Sequence, residues 1–288
     1  MHWFFPALAS AVAIATVDAV TKRFLSHLTT LEMAAIRLGF GLPFFLGLLL
    51  FIPIPPLDAG FFFSVLILLP VEITAYLLYM RAIRVSPLSL TVPFLAFTPV
   101  FMILTGRLML DEQIGLYGVL GVTAVAAGGY VLNLKETRYG WLGPVYAVGR
   151  EEGSWLMLIV SLLYSFTAVM GKRAIGHSSA AFFGCSYFIL LGMIVPGGLL
   201  VTRRVAWNSF RRFLLPGISI GALMTIMVLC HMTAISLVKA AYMIAIKRTS
   251  ILFSVIYAAV LFKEENIGQR FWGASLMLAG VVIIALFG

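Results

Sequence analysis

Apolar residues run along this chain in long stretches, parted by short polar breaks. A helix that crosses a bilayer needs about 20 such residues at a rise of about 1.5 Å each. Ten stretches meet that length, at 3–21, 30–52, 60–80, 86–106, 113–134, 154–171, 179–201, 213–236, 240–262 and 268–287. Most of the breaks carry turn chemistry: IPIPPLDAG after the second, RVSP before the fourth, DEQIG before the fifth, KEENIGQR before the tenth. The pattern predicts an all-α integral membrane protein of ten transmembrane helices. Its longest connection, residues 135–153, falls close to the midpoint.

Composition agrees with this pattern. The chain is 62% hydrophobic and 11% charged, and its mean hydropathy is +1.07. Soluble domains carry about 25% charged residues, so an ordinary globular enzyme is excluded. The first stretch lacks the basic leader of a signal peptide, because Lys22 and Arg23 follow it, and a retained helix is expected. Cys185 and Cys230 fall in apolar stretches and read as small hydrophobes of a bundle. The net charge of +9 suggests loop bias in a membrane protein rather than a nucleic-acid partner.

The two halves resemble each other. A shift of 150 residues places Lys22, Arg23 and His27 on Lys172, Arg173 and His177, and Gly47, Leu49 and Leu50 on Gly197, Leu199 and Leu200. A shift of 152 places Met80, Ala82 and Ile83 on Met232, Ala234 and Ile235. It also places Phe101 on Phe253, Glu112 on Glu264, Gly121 on Gly273 and Gly128 on Gly280. The offsets predict a first repeat over 1–134, a linker over 135–153 and a second repeat over 154–288. Five spans is an odd number, so the second copy must be inverted, an arrangement that places a site at mid-membrane in many secondary transporters.

These halves resemble the drug/metabolite transporter superfamily, in its ten-helix EamA type. The likeness is carried by SPLSLTVPFLAFTPVFMILTGRLMLDEQIGLYGVLGVTAVAAGGYVLNL in the first copy and KRTSILFSVIYAAVLFKEENIGQRFWGASLMLAGVVIIALFG in the second. Each has an apolar helix ending in acidic residues and then a Gly-rich closing helix. The resemblance implies transport by alternating access in a multi-pass protein, with the bacterial inner (plasma) membrane as expected location. In the same superfamily the plastid sugar-phosphate translocators hold phosphate with a Lys-Arg pair in the ninth helix. Lys247 and Arg248, in AIKRTSILFS, occupy the similar place and become candidates for anion binding.

Lys247 and Arg248 stand out on their own terms. Each charge at the centre of a membrane helix costs roughly 2.5–3.5 kcal/mol on insertion scales, and such residues usually face a bundle interior or a watery path. Ionisable groups deeper inside the spans include Asp18, Arg37, Glu72 and His231. Arg37 is about two turns from its helix start and could snorkel to the headgroups. Asp18 could be a partly solvated end position. Glu72 lies close to Pro70, where a kink would free carbonyls toward a cavity. Glu72, Tyr76 and Tyr79 share one helix face, and the 152 shift sets Tyr79 opposite His231. The candidate substrate-binding residues are therefore Lys247, Arg248, Tyr76, Tyr79, His231 and Arg37, and the candidate coupling residues are Glu72 and Asp18. Three cations against two anions leave one positive charge, which favours a small anionic metabolite. Permanent pairing of Lys247 and Arg248 with Glu72 and Asp18 is the alternative.

No metal-ligand cluster, nucleophile elbow, phosphate-binding loop or ATP-binding domain is present, so no cofactor and no ATPase subunit are expected. Transport would then be passive, exchanging or coupled to a proton taken by Glu72 or Asp18. Two other classes remain: an intramembrane enzyme using Glu72 and His231 on a lipid-linked substrate, and a lipid flippase or scaffold indifferent to Lys247 and Arg248. Gly115, Gly118, Gly121, Gly128 and Gly129 suit close packing of helix five. Pro93 and Pro99 suit a bent helix four that moves as a gate. Oligomeric state and cargo are not readable.

Of the 20 Lys and Arg residues, 13 fall in odd-numbered loops, with Arg270 counted in the KEENIGQR break, and four in even-numbered ones. The odd set includes TRRVAWNSFRR, whose arginines flank Trp207 and Phe210 and suit an anionic leaflet. The charge count predicts cytoplasmic odd loops and external termini, whereas the family resemblance implies the opposite. A reporter fused to the C-terminus distinguishes them: by the charge count it is active only on the external side.

Overall fold

A computed structural model describes residues 2–86, 91–131, 151–262 and 270–287, and among these every regular element is helical. The connector through 135–150, Pro87 and residues 263–269 with Glu264 lie outside the described residues. In chain order the helices are α1 (Phe4–Leu25), α2 (Thr30–Gly39), α3 (Leu42–Leu49), α4 (Ala59–Val85), a 3-10 turn (Val92–Phe97), α5 (Thr98–Leu110) and α6 (Leu116–Val131). There follow α7 (Glu152–Gly176), α8 (Ala180–Val201), α9 (Trp207–Arg212), α10 (Leu214–Leu237), α11 (Ala240–Lys247), α12 (Ser250–Phe262) and α13 (Arg270–Phe287). Among the described residues, seven segments are long and apolar enough to cross a membrane, and three shorter apolar helices, Phe94–Leu110, Leu116–Val131 and Trp272–Phe287, accompany them. The protein is an integral, multi-pass membrane protein.

Helix starts follow local capping chemistry. Thr29 accepts from the Glu32 amide while Glu32 returns a bond to the Thr29 amide, closing a capping box on α2. Ser179 caps α8 through Phe182, and Asp58 caps α4 through Phe61. The Phe61 amide, followed by the nearby His177 ring, holds the Asp58 carboxyl below its usual range.

Three predicted continuous spans are broken. The second splits at Phe40–Gly41, where the Phe40 ring and carbonyl fill the notch left by Gly217 and Gly221 on α10. The fourth opens as a 3-10 turn and becomes α-helical only at Thr98, with Pro99 in the first turn, where its missing N–H costs no hydrogen bond. The ninth breaks at Arg248–Thr249, between α11 and α12. The cations therefore sit at a helix end and not inside one continuous helix. By contrast α4 continues through Pro70. The TRRVAWNSFRR segment contains the short α9, which the loop reading did not anticipate.

The helices pack in pairs: α1 along α10, α4 along α7, α6 along α13, and α2 with α3 against α8. The 3-10 turn and α5 lean on α7, and α11 and α12 lean on α1. Contacts at helix ends fix directions. Glu151 accepts from Ser86 and Glu152 pairs with Arg81, so α7 begins where α4 finishes. His177 meets Asp58 at 2.8 Å, so α7 finishes where α4 begins. The end carrying Ser86 and Glu151 is here the odd end, and the end carrying Asp58 and His177 the even end.

Backbones touch along the seam of α6 and α13. A Cβ at Gly128 would lie 2.6 Å from the Gly273 carbonyl oxygen and 2.5 Å from Met277 Cγ. A Cβ at Gly280 would lie 2.6 Å from the Gly121 oxygen. Because 121 meets 280 and 128 meets 273, the two helices run antiparallel. Gly118 is filled by the Tyr242 ring, but Gly115 meets nothing within 4 Å, so the close-packing expectation does not extend to it. Forcing a larger side chain into a filled site costs about 1–3 kcal/mol. Gly128→Val should lower the thermal midpoint in detergent accordingly, and Gly115→Ala should leave it unchanged.

Candidate functional site

A cavity of about 140 Å³ lies among α1, α2, α4, α7, α8, α10 and α11. A water needs about 10–15 Å³ on the same measure, so the cavity holds roughly ten waters, or a solute of similar size. Arg37, Glu72, Tyr76, Tyr79, His231, Lys247 and Arg248 all line it. The eighth predicted residue, Asp18, sits behind this wall.

Lys247 and Arg248 arrive through the break after α11. Arg248 caps that helix, its amide bonding back to Ile244 and Ala245. Cations at a helix C-terminus gain at most about 2 kcal/mol from the backbone dipole, even when partly buried. That does not offset roughly 5–7 kcal/mol for two charges at bilayer depth. Side chains supply further contacts. Lys247 Nζ lies 2.9 Å from His231 Nδ1 and 3.5 Å from Met227 Sδ. Arg248 Nη2 donates to Thr98 Oγ1 at 2.8 Å, across the break of the fourth span. The Arg248 Nε has no hydrogen-bond partner, and among the described residues neither cation makes a salt bridge.

Arg37 and Asp18 have a different arrangement from the one expected. Arg37 Nη1 meets Asp18 Oδ1 at 2.7 Å, with both side chains only 3% exposed. Tyr79 donates its hydroxyl to the other oxygen of Asp18 and lays its ring 5.6 Å from the guanidinium carbon. Arg37 therefore does not snorkel, and Asp18 is not a solvated end position: each charge holds the other inside the bundle. This also removes Asp18 as a permanent partner for Lys247 or Arg248. Tyr76 bonds weakly to the Ala34 carbonyl at 3.4 Å.

The structure adds lining residues that the sequence reading missed. Tyr164, Thr167 and Gly171 project from one face of α7, and Phe183, Tyr187 and Phe188 from α8. Among the described residues, the Tyr187 hydroxyl is buried without a hydrogen-bond partner. A signal for two of them was available. The 150 shift carries Ile14 to Tyr164 and Arg37 to Tyr187, and all four line the cavity.

The site thus gathers two cations without a carboxylate partner among the described residues, one carboxylate and an aromatic wall inside a bundle of apolar helices. Residues 1–134 match the EamA-like transporter family, which belongs to the drug/metabolite transporter superfamily. That match makes the first half of the chain similar to membrane transporters of that type. No curated protein matches it. One protein crystal structure is similar at a TM-score of 0.68, with 12% identity over 98% of this chain and 99% of the other, a likeness of fold alone.

Breaking a buried pair by removing one partner costs about 3–5 kcal/mol, whereas replacing both by apolar groups is often neutral. Arg37→Ala should therefore destabilise the protein by about that amount in detergent unfolding. Arg37→Met combined with Asp18→Leu should recover most of the loss.

Proposed function

We propose that the protein is a secondary transporter that carries a small anionic metabolite through the central cavity by alternating access of two inverted five-helix halves. The observation that carries this reading is the placement of Lys247 and Arg248 at a helix break, facing the cavity, without a carboxylate in ion-pair reach among the described residues. With Arg37 and Asp18 cancelling, the remaining cations exceed Glu72 by one charge. A carboxylate or phosphate on the cargo supplies what the protein leaves unmet, in charge-assisted bonds that Arg forms bidentately.

Several features favour inverted halves. The shifts of 150 and 152 relate α1 to α7 and α4 to α10, so the α1–α10 and α4–α7 packings exchange under them. The same shift carries the start of α5 at Thr98 to the start of α12 at Ser250, so the breaks of the fourth and ninth spans are in register. It also exchanges the two glycine contacts of the antiparallel seam of α6 and α13, carrying Gly121–Gly280 onto Gly273–Gly128. Lining positions pair likewise: Tyr79 with His231, Glu72 with Met224, and Leu95 with Lys247. Ten spans follow if the three shorter helices also cross. The polar identities differ between copies, so the site is asymmetric although its frame is not. Glu72, the cavity's carboxylate, is the residue placed to take a coupling proton.

The test is ligand-induced stabilisation of the purified protein across anionic, neutral and cationic metabolites, followed by flux in liposomes. An anion should raise the thermal midpoint. Lys247→Ala and Arg248→Ala should each weaken its binding about tenfold or more, the loss expected of one charge-assisted hydrogen bond. A preference for cations, or binding indifferent to both substitutions, would refute the proposal.

A further inference from the structure

Beyond the cavity, two lysines related by the 150 shift make the same kind of bond at opposite ends of the molecule. Lys22, near the end of α1, donates to the carbonyls of Ile83 at 2.7 Å and Ser86 at 3.0 Å, where α4 finishes at the odd end. Lys172, near the end of α7, donates to the Val238 carbonyl at 2.6 Å, where α10 finishes at the even end. The 152 shift carries Ser86 to Val238, so acceptors as well as donors correspond. In each case an ammonium group meets the last carbonyls of a helix, which have no partner of their own within it.

The packing makes these bonds more than local caps. The 3-10 turn, α4 and α5 gather on α7, whereas α10 and α12 gather on α1, and α11 lies between them against both α1 and α5. Lys22 joins α1 of the second group to α4 of the first, and Lys172 joins α7 of the first group to the α10–α11 turn of the second. The other described ion pairs at the ends, Asp58–His177 and Arg81–Glu152, stay between α4 and α7 within one group. Lys172 also lines both the central cavity and a surface depression formed with Ser236, Val238 and Tyr242, so it stands between them.

We propose that Lys22 and Lys172 are paired clasps of the transport cycle: each holds the two helix groups together at one end, and the cavity opens toward an end when that end's lysine leaves its carbonyls. They are positioning residues that act through the helices they join, Lys172 from the edge of the cavity and Lys22 away from it. The even clasp is wired to the site. Glu112 accepts from Lys172 at 2.5 Å with one oxygen and from the Ala240 amide at 2.9 Å with the other. Ala240 begins α11, a rod of eight residues that ends at Lys247. At about 1.5 Å per residue this rod spans roughly 10 Å from clasp to cavity. A cargo that draws Lys247 and Arg248 moves the helix whose start Glu112 holds. Released carbonyls are then met by water, which an opened end admits.

This inference rests on the alternating-access reading, and the test separates the two. In a protein with Cys185→Ala and Cys230→Ala, Ala168→Cys provides a thiol in the cavity wall. Its labelling by a membrane-impermeant maleimide is measured from each face of the membrane. Lys172→Ala should raise labelling about tenfold from the even-end face alone, and Lys22→Ala about tenfold from the odd-end face alone, the population shift expected when a charge-assisted bond is lost in one state. Lys172→Arg and Lys22→Arg should restore the starting values. Equal increases from both faces, as general loosening gives, or no increase at all would overturn the clasps. If Lys172→Ala does not elute as a folded protein, Glu112→Gln decides, since it keeps the Lys172–Val238 bond and should give a smaller rise from the even-end face only. No cargo is needed for labelling. The expected sidedness without flux of any solute would sink the transport reading and keep the clasps. Full flux from a Lys172→Ala protein whose labelling is unchanged would sink the clasps alone.

Discussion

A charge held in the bilayer core must be met from inside the bundle, and this constraint organises the centre of the protein. Asp18 and Arg37 satisfy it by meeting each other, with Tyr79 completing the carboxylate. Lys247 and Arg248 satisfy it only in part, through a helix end, His231 and the Thr98 hydroxyl. The difference between the two pairs is the difference between structure and site. The first cancels its own charge, although Arg37 Nε stays without a hydrogen bond among the described residues; the second leaves charge as well as donors facing the cavity.

The helix breaks belong to the same constraint. An uninterrupted ninth span would satisfy its own backbone and present Lys247 and Arg248 to neighbours as bare cations. Ending α11 at that point sets the negative end of a helix beside them. The broken fourth span faces this point and brings Thr98 within reach of Arg248. Irregular backbone at membrane depth is tolerated where it lines a cavity, and here both irregular segments do so through Leu95 and Arg248.

How much of this was legible in the sequence differed by residue type. Charges in an apolar background are conspicuous, and seven of the eight predicted site residues line one cavity while the eighth braces it from behind. Arg37 was misplaced because counting turns from a helix start gives depth but not the neighbour across the gap. Tyr164 and Tyr187 were missed because a tyrosine among phenylalanines carries no mark of its own, although the repeat offset pointed to both. Pro93 and Pro99 announced an irregular fourth span, but the ninth breaks with no proline or glycine near it. In a stretch apolar on every side, periodicity carries no information about where a helix stops.

The seam between α6 and α13 has a consequence for how this protein can change. Cavity walls built of tyrosine, methionine and phenylalanine can be recut, since a smaller or larger side chain alters only the space it borders. At Gly121, Gly128 and Gly280 the facing surface is peptide backbone, which has no rotamer to yield. A complete survey of single replacements would thus find its narrowest tolerance along this line of contact and not around the central cavity. Specificity can drift, while the spine against which it drifts stays fixed.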